Sequence, residues 1–194
     1  MCSVTDAKAP SHRRGAAVRA AIFEATIAEV VERGAEAVSI ADVAARAGVH
    51  ETSVYRRWRT RGDLIVDALM DRSAVAIPVP DSGSIRGDLI ELARLVSAYL
   101  SSPIGRALVR TAVVPVQDPA LRDARAAFLA GRVGLMRVLV DRGIERGELR
   151  ADTDVRLTLE MLVAPLHLRV LLTGESIDPD LPERITDAIL NGTR

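Results

Sequence analysis

The 194-residue chain is rich in Ala, Leu, Val and Arg, and its 48% hydrophobic but only 3% aromatic content suits packed helices rather than a sheet. Its 26 basic and 26 acidic residues cancel, so an anionic partner must be met by a local patch and not by overall charge. A single Cys, Cys2, excludes a disulfide framework and a Cys-based metal site; no uncharged apolar run approaches about 18 residues and no signal-peptide core follows Met1, which predicts a cytoplasmic protein without membrane partner, metal or cofactor.

Residues 1–10 carry no periodicity and are predicted to be a disordered tail. Arg13 and Arg14 follow, immediately before a helix predicted to end at Gly34. They read either as an arm over a minor groove or its phosphates, or as a solvated helix start. Phe23, Ile27, Val30 and Val31 give that helix one apolar face, predicted to cover the next segment and close a three-helix head.

The stretch SIADVAARAGVHETSVYRRWRTRGD, Ser39 to Asp63, is the most informative in the chain. Two helices crossing steeply need a small residue at the crossing, a Gly in the turn and a branched apolar residue facing back, and Ala44, Gly48 and Val54 meet those needs in order. Ser39 with Asp42, and Thr60 with Asp63, have capping-box spacing with Asp in place of Glu. Val43, Val49, Val54 and Trp58 form an apolar side. His50, Glu51, Thr52, Ser53, Tyr55, Arg56 and Arg57 fall largely opposite, on a face that can donate hydrogen bonds and stack, as major-groove reading requires. Helical hairpins with such spacings also occur in proteins that never touch nucleic acid. Local charge favours DNA: from His50 to Arg61 there are four Arg against one Glu, interleaved with Tyr55 and Trp58.

The run AGVHETSVYRRWRTRGDL resembles the recognition segment of the tetracycline-repressor (TetR) family, over roughly the first 70 residues. The resemblance implies a dimeric, all-helical, ligand-released transcriptional repressor. It implies phosphate contacts from Ser39, Tyr55 and Arg61, with Thr52, Ser53, Arg56 and Arg57 nearer the bases. Glu51 would accept from a cytosine amino group or merely favour the helix N-terminus. Two positions depart from the family pattern. His50 stands where a Ser cap is usual and Gly62 where an acid is common, each weakening a helix start by about 0.5 to 1 kcal/mol.

Arg61 is predicted to open a fourth helix through Leu64, Ile65, Ala68 and Leu69 to about Ser73. IPVPDSGS, Ile77 to Ser84, is a break with two Pro and a Gly. The domain boundary is placed inside the fourth helix: 1–63 for DNA binding and 64–194 for regulation. Residues 1–63 hold ten basic and eight acidic residues, whereas 64–194 hold sixteen and eighteen. A fifth helix starts at Ser84 and carries Leu89, Leu92, Leu95, Val96 and Tyr99. Ser102–Pro103 and Asp118–Pro119 read as a cap followed by a first-turn Pro. The helix from Pro119 to Arg146 carries two stripes, Leu121, Ala124, Phe128, Leu135, Val138 and Ala126, Leu129, Val133, Met136, Val140, which predicts neighbours on both sides. Asp152 or Thr153 is predicted to cap the next helix, reaching Thr173 with a bend near Met161 caused by Pro165; Leu181 to Leu190 closes the chain. The expected fold is all-α, about nine helices, with a helix-turn-helix head and a larger helical body for effector binding and dimerisation.

By the same resemblance, the last two helices pair across a two-fold axis, with Leu159, Leu162, Leu166, Val170, Ile185, Ile189 and Leu190 as interface candidates. A cavity in the body would involve Leu95, Tyr99, Phe128, Met136, Met161 and His167, with Arg94, Arg106 and Arg110 as anchors or plain surface residues. Ordinary core is the simpler reading of the aromatic and Met residues, and His167 beside Pro165 is expected to serve a freed carbonyl. The expected partners are a double-stranded DNA operator, a small hydrophobic effector and a second copy of the chain. Two alternatives stand: an architectural DNA-binding protein without effector, and a helical enzyme. The second is disfavoured by the lack of a His-Glu-x-x-His motif, a Gly-rich phosphate loop or a Cys pair, with only three His in total.

Overall fold

The computed structural model describes residues 9–102, 104–106 and 118–192, with side chains from Gly15 onward, and all regular structure among them is helical. The expected tail, 1–10, falls outside these residues apart from Ala9 and Pro10, which belong to the first helix; Cys2, Pro103 and Arg110 also lie outside, as do the side chains of Arg13 and Arg14. The chain forms two compact units, one of 1–69 with 116–124 and the other of 70–115 with 125–194.

In the first unit, α1 (Ala9–Arg33) ends where Gly34 takes a φ of +83°, followed by a 3-10 turn, Ala35–Ala37. Then come α2 (Ile40–Ala47), α3 (Glu51–Tyr55) and the start of α4 (Arg61–Ala76). α1 packs on α2, and α2 on α3. The core is Ile22, Phe23, Ile27, Val30, Val38, Ile40, Val43, Ala44, Val54, Trp58, Leu64 and Ile65, all buried. The predicted face of α1 and the inner face of the hairpin supply most of it. Phe23 lies with its centroid 5.6 Å from that of Trp58, and Arg19 covers its other side at 4.7 Å.

Gly62, the predicted weak point of α4, has a packing reason. A Cβ there would come within 3.3 Å of both the Ala120 carbonyl oxygen and the Ala124 Cβ, at the start of α6 (Pro119–Glu145). An acid at this position would force those turns apart, so close approach is exchanged for helix propensity.

The second unit contains α5 (Ile85–Ser101), most of α6, α7 (Val155–Leu168) and α8 (Leu181–Gly192), with α5, α7 and α8 packed against one another. Leu89, Leu92, Ala93, Leu100, Leu139, Val140, Leu162, Leu166 and Ile189 form its buried centre. Two expectations for these helices are corrected. Along α6, Leu121, Met136, Leu139 and Val140 are buried but Leu129 and Leu135 are exposed, so neither predicted stripe is covered along its whole length by the described residues. The cap of α7 is Asp154, whose carboxylate accepts from the Leu157 N–H at 3.0 Å; Asp152 pairs with Arg150, and the Thr153 hydroxyl donates to the Arg150 carbonyl.

Pro165 sits inside α7, as read, and takes the amide hydrogen from the bond to Met161. The ladder then relaxes into a π-helical turn, Arg169–Thr173, which ends at Gly174 with a φ of +68°. His167 does not serve the freed carbonyl; its Nδ1 lies 2.8 Å from the Val163 oxygen, one turn back along the helix.

Candidate nucleic-acid interface and body cavity

The hairpin is assembled by its caps and its glycine. Ser39 Oγ accepts from the Asp42 N–H at 3.1 Å, opening α2. The second half of that capping box is missing, because Asp42 turns to Arg33 at 3.1 Å. Gly48 closes α2 in the left-handed region, φ +67°, where its N–H reaches the carbonyls of Ala44 and Ala45. His50 is the N-cap of α3 without a side-chain bond. Thr60 and Asp63 form the complete reciprocal box, Thr60 N–H to Asp63 and Asp63 N–H to Thr60 Oγ1, both at 3.1 Å.

Charge pairs brace the same unit from the opposite side. Arg46 grips Glu32 with two bonds, at 2.6 and 3.0 Å, and Glu29 with a third at 2.9 Å. Arg46 holds the Glu32 carboxyl below its usual range, first by hydrogen bonding. These links fix α2 against α1 and leave α3 to project.

On α3 and the turn after it, Val54 and Trp58 are buried, whereas Glu51, Thr52, Tyr55, Arg56 and Arg57 are exposed and Ser53 is half-buried. Arg56, Arg57 and Arg59 have no carboxylate partner among the described residues, so they offer charge to an external anion. Ser39 is half-buried and its hydroxyl is already engaged as the cap.

Arg61, expected as a phosphate contact, is engaged within the protein. Its Nη1 donates to the carbonyls of Glu36 at 2.8 Å and Val38 at 3.3 Å, and its Nη2 pairs with the Asp118 carboxylate. Asp118 also caps α6 by accepting from the Ala120 N–H at 2.9 Å. Arg61 first, and that N–H second, lower the Asp118 carboxyl below its ordinary range, so the pair persists at neutral pH. Arg61 is thus a clasp inside the first unit, a role that spacing alone cannot distinguish from a phosphate contact.

The second unit contains a partly open cavity of about 1100 Å³. Tyr99, Phe128, Met136 and His167, expected from sequence, all line it, together with Leu92, Val96, Val133, Leu159 and Val163. Leu95 instead packs against the core, and Met161 points to the exterior. Burial pushes the Tyr99 hydroxyl above its usual range. Arg132, not anticipated, also lines the cavity: its Nη2 donates to the Ile77 carbonyl at 3.2 Å, its Nη1 is buried without a hydrogen-bond partner, and burial lowers its pKa. Arg94 and Arg106 are surface residues, bonded to Glu183 and the Ser101 carbonyl.

The expected interface residues are largely protomer core. Leu159, Leu162, Leu166, Ile185, Ile189 and Leu190 are all buried within the chain, and of that set only Val170 is half-exposed. The outer face of α7 and the π turn carries a different stripe: Leu157, Met161, Leu168 and Leu172 are 52, 43, 49 and 77% exposed, with exposed Ala164 between them. The spacings of four, three, four and four residues place all five on one side. This exposed row was not among the residues that the sequence reading offered for an interface.

Among the described residues no three His, Cys, Asp or Glu side chains gather as a metal site, and no helix is long and apolar enough to cross a membrane.

Comparison with known proteins covers both units. Residues 22–68 match the family described as bacterial regulatory proteins, tetR family, and residues 79–189 match the tetracyclin repressor-like C-terminal domain. The HTH-type transcriptional regulator AqdR of Rhodococcus erythropolis is 38% identical over 179 residues, 92% of this chain and 86% of that protein. The DNA-binding transcriptional repressor TetR of Mycobacteroides abscessus is 29% identical, with 91 and 94% covered. Among solved structures, the TetR family transcription regulator SCO0332 superposes with a TM-score of 0.74 at 25% identity, covering 91% of this chain and 98% of the other.

Proposed function

Because the chain belongs to the TetR family of bacterial transcriptional regulators, we propose that it is a cytoplasmic repressor that binds a palindromic operator as a homodimer and is released by a small hydrophobic effector. In this division of labour residues 1–63 read DNA and residues 64–194 bind the effector and dimerise. The observation that carries the reading is the combination, in one chain, of an exposed recognition helix followed by a basic turn with a large, mostly apolar cavity. The cavity weighs against an architectural protein without effector, which needs none.

The homodimer rests on the stripe of Leu157, Met161, Ala164, Leu168 and Leu172. An exposed apolar row at helical spacing self-complements about a two-fold axis when it meets its own copy. A dimer presents two recognition helices to half-sites about 34 to 36 Å apart, one duplex turn. An effector that prefers a body conformation with another separation weakens DNA binding by its differential affinity for the two states.

Arg56 and Arg57, with Thr52 and Ser53, are assigned to the bases; Tyr55, with Arg13, Arg14 and Ser39 where their groups are free, is assigned to phosphates. Glu51 is assigned to a cytosine amino group or to the helix N-terminus. Replacing Tyr55 with Ala should therefore weaken all duplexes alike, while Arg56→Ala should cost about 1 to 3 kcal/mol and relax preference at one base position. Gel-shift titrations against an operator and its single-base variants test this. An Arg56→Ala protein with unchanged affinity and preference contradicts the assignment.

A further inference from the structure

The charged groups around the cavity are matched, with one exception. Glu160 pairs with Arg156 at 2.7 Å, Arg137 with Asp141 at 3.1 Å, and Asp154 is occupied as the cap of α7. Arg132 faces the same space with one carbonyl bond and no ion pair among the described residues, and its Nη1 is buried with nothing to donate to. A guanidinium stays protonated at any physiological pH, so a buried one without an anion carries a desolvation cost that an incoming oxyanion relieves. The remaining lining is mostly apolar, with Leu92, Val96, Val133, Met136, Leu159 and Val163, and its polar members are Ser73, Thr153, Tyr99 and His167.

We propose that the effector is an apolar organic acid whose anionic oxygen pairs with Arg132 Nη1 while its body fills the apolar remainder of the cavity. The proposal rests on the reading of this cavity as the effector site. Geometry supplies two further recognition points. The Tyr99 hydroxyl lines the same space as Arg132. His167, with Nδ1–H donating to the Val163 carbonyl at 2.8 Å, presents Nε2 as an acceptor in its neutral form. An acid with a hydrogen-bond donor elsewhere on its body therefore satisfies the cavity better than a simple hydrocarbon. Because Nη2 of the same guanidinium holds the carbonyl of Ile77, just after α4, an anion at Nη1 shares its side chain with the end of that helix.

Two fluorescent probes separate charge from shape. 1-Anilinonaphthalene-8-sulfonate and N-phenyl-1-naphthylamine have the same aromatic body, with and without an anionic group. Titrated into the full-length protein, the sulfonate should bind more tightly than the neutral amine. Arg132→Met should weaken the sulfonate about tenfold or more, as loss of a charge-assisted bond implies, and leave the amine within about twofold; Arg132→Lys should keep most of the preference. Val163→Trp, which thrusts a bulky ring into the apolar wall, should weaken both probes alike. If Arg132→Met changes the two probes equally or neither, the cavity reading stands and the organic-acid proposal falls. If wild type binds neither probe, or Val163→Trp leaves both affinities unchanged, the cavity reading itself fails and takes the proposal with it.

Discussion

Replacing Trp58 with Ala is expected to cost the DNA-reading unit about 3 to 5 kcal/mol, the range for removing a buried aromatic. The side chain is 4% exposed, packs against Phe23, and donates from Nε1 to Asp67 at 2.9 Å. Asp67 is itself exposed and its carboxylate is re-solvated when the donor leaves, so most of the loss comes from the void beside Phe23. A domain's total stability is about 5 to 15 kcal/mol, and small units fall at the low end. The variant should therefore lose operator binding together with the first unit's thermal transition, followed by circular dichroism. Trp58→Phe keeps most of the volume and should lose only about 1 kcal/mol. A Trp58→Ala protein that melts like wild type contradicts the packing role assigned to this residue.

The double substitution Leu168→Glu with Leu172→Glu should convert dimers to monomers without unfolding them. Both side chains are half-exposed or more in the protomer, so replacing them removes little internal packing. In a two-fold assembly each charge meets its own copy, and four carboxylates along one seam repel. Loss of the second half-site contact should lower affinity for a palindromic operator by about 10² to 10⁴, the scale of lost avidity. Sedimentation velocity reads the assembly and gel shift reads the affinity. Leu162→Ala is the matched contrast: fully buried in the protomer, it should cost about 2 to 5 kcal/mol of stability and act on assembly only through folding. A Leu168→Glu, Leu172→Glu protein that still sediments as a dimer places the interface elsewhere.

The hairpin was legible because its demands are local. A left-handed turn at Gly48, hydroxyl caps at Ser39 and Thr60, and back-facing Val54 are each dictated within a few residues, and the structure has all of them. Helix order and the break at Ile77 to Ser84 were legible for the same reason. What the sequence did not show depended on partners distant in sequence. Arg61 has the spacing of a phosphate contact, yet Asp118 lies 57 residues away and no local pattern announces their pairing. α7 is apolar around much of its circumference; the sequence reading offered Leu159, Leu162 and Leu166 to a second copy, and only the packing of α5 and α8 shows that this row is buried inside the protomer while Leu157, Met161 and Leu168 are exposed. Arg132 reads as one more charge on a long helix. Its significance is an atom left unpaired in a cavity, and an absence of partners has no sequence signature. Asp154 was missed as the cap by one or two residues among neighbours that are equally good cap formers.

The most direct test of dimeric, sequence-specific DNA reading is selection of random duplexes by the purified full-length protein, followed by sequencing of the bound pool. The account predicts an enriched palindrome whose half-sites are centred about one helical turn apart, close to 34 to 36 Å. A pool that stays unenriched at low salt, or that enriches a single half-site without its inverted repeat, contradicts it.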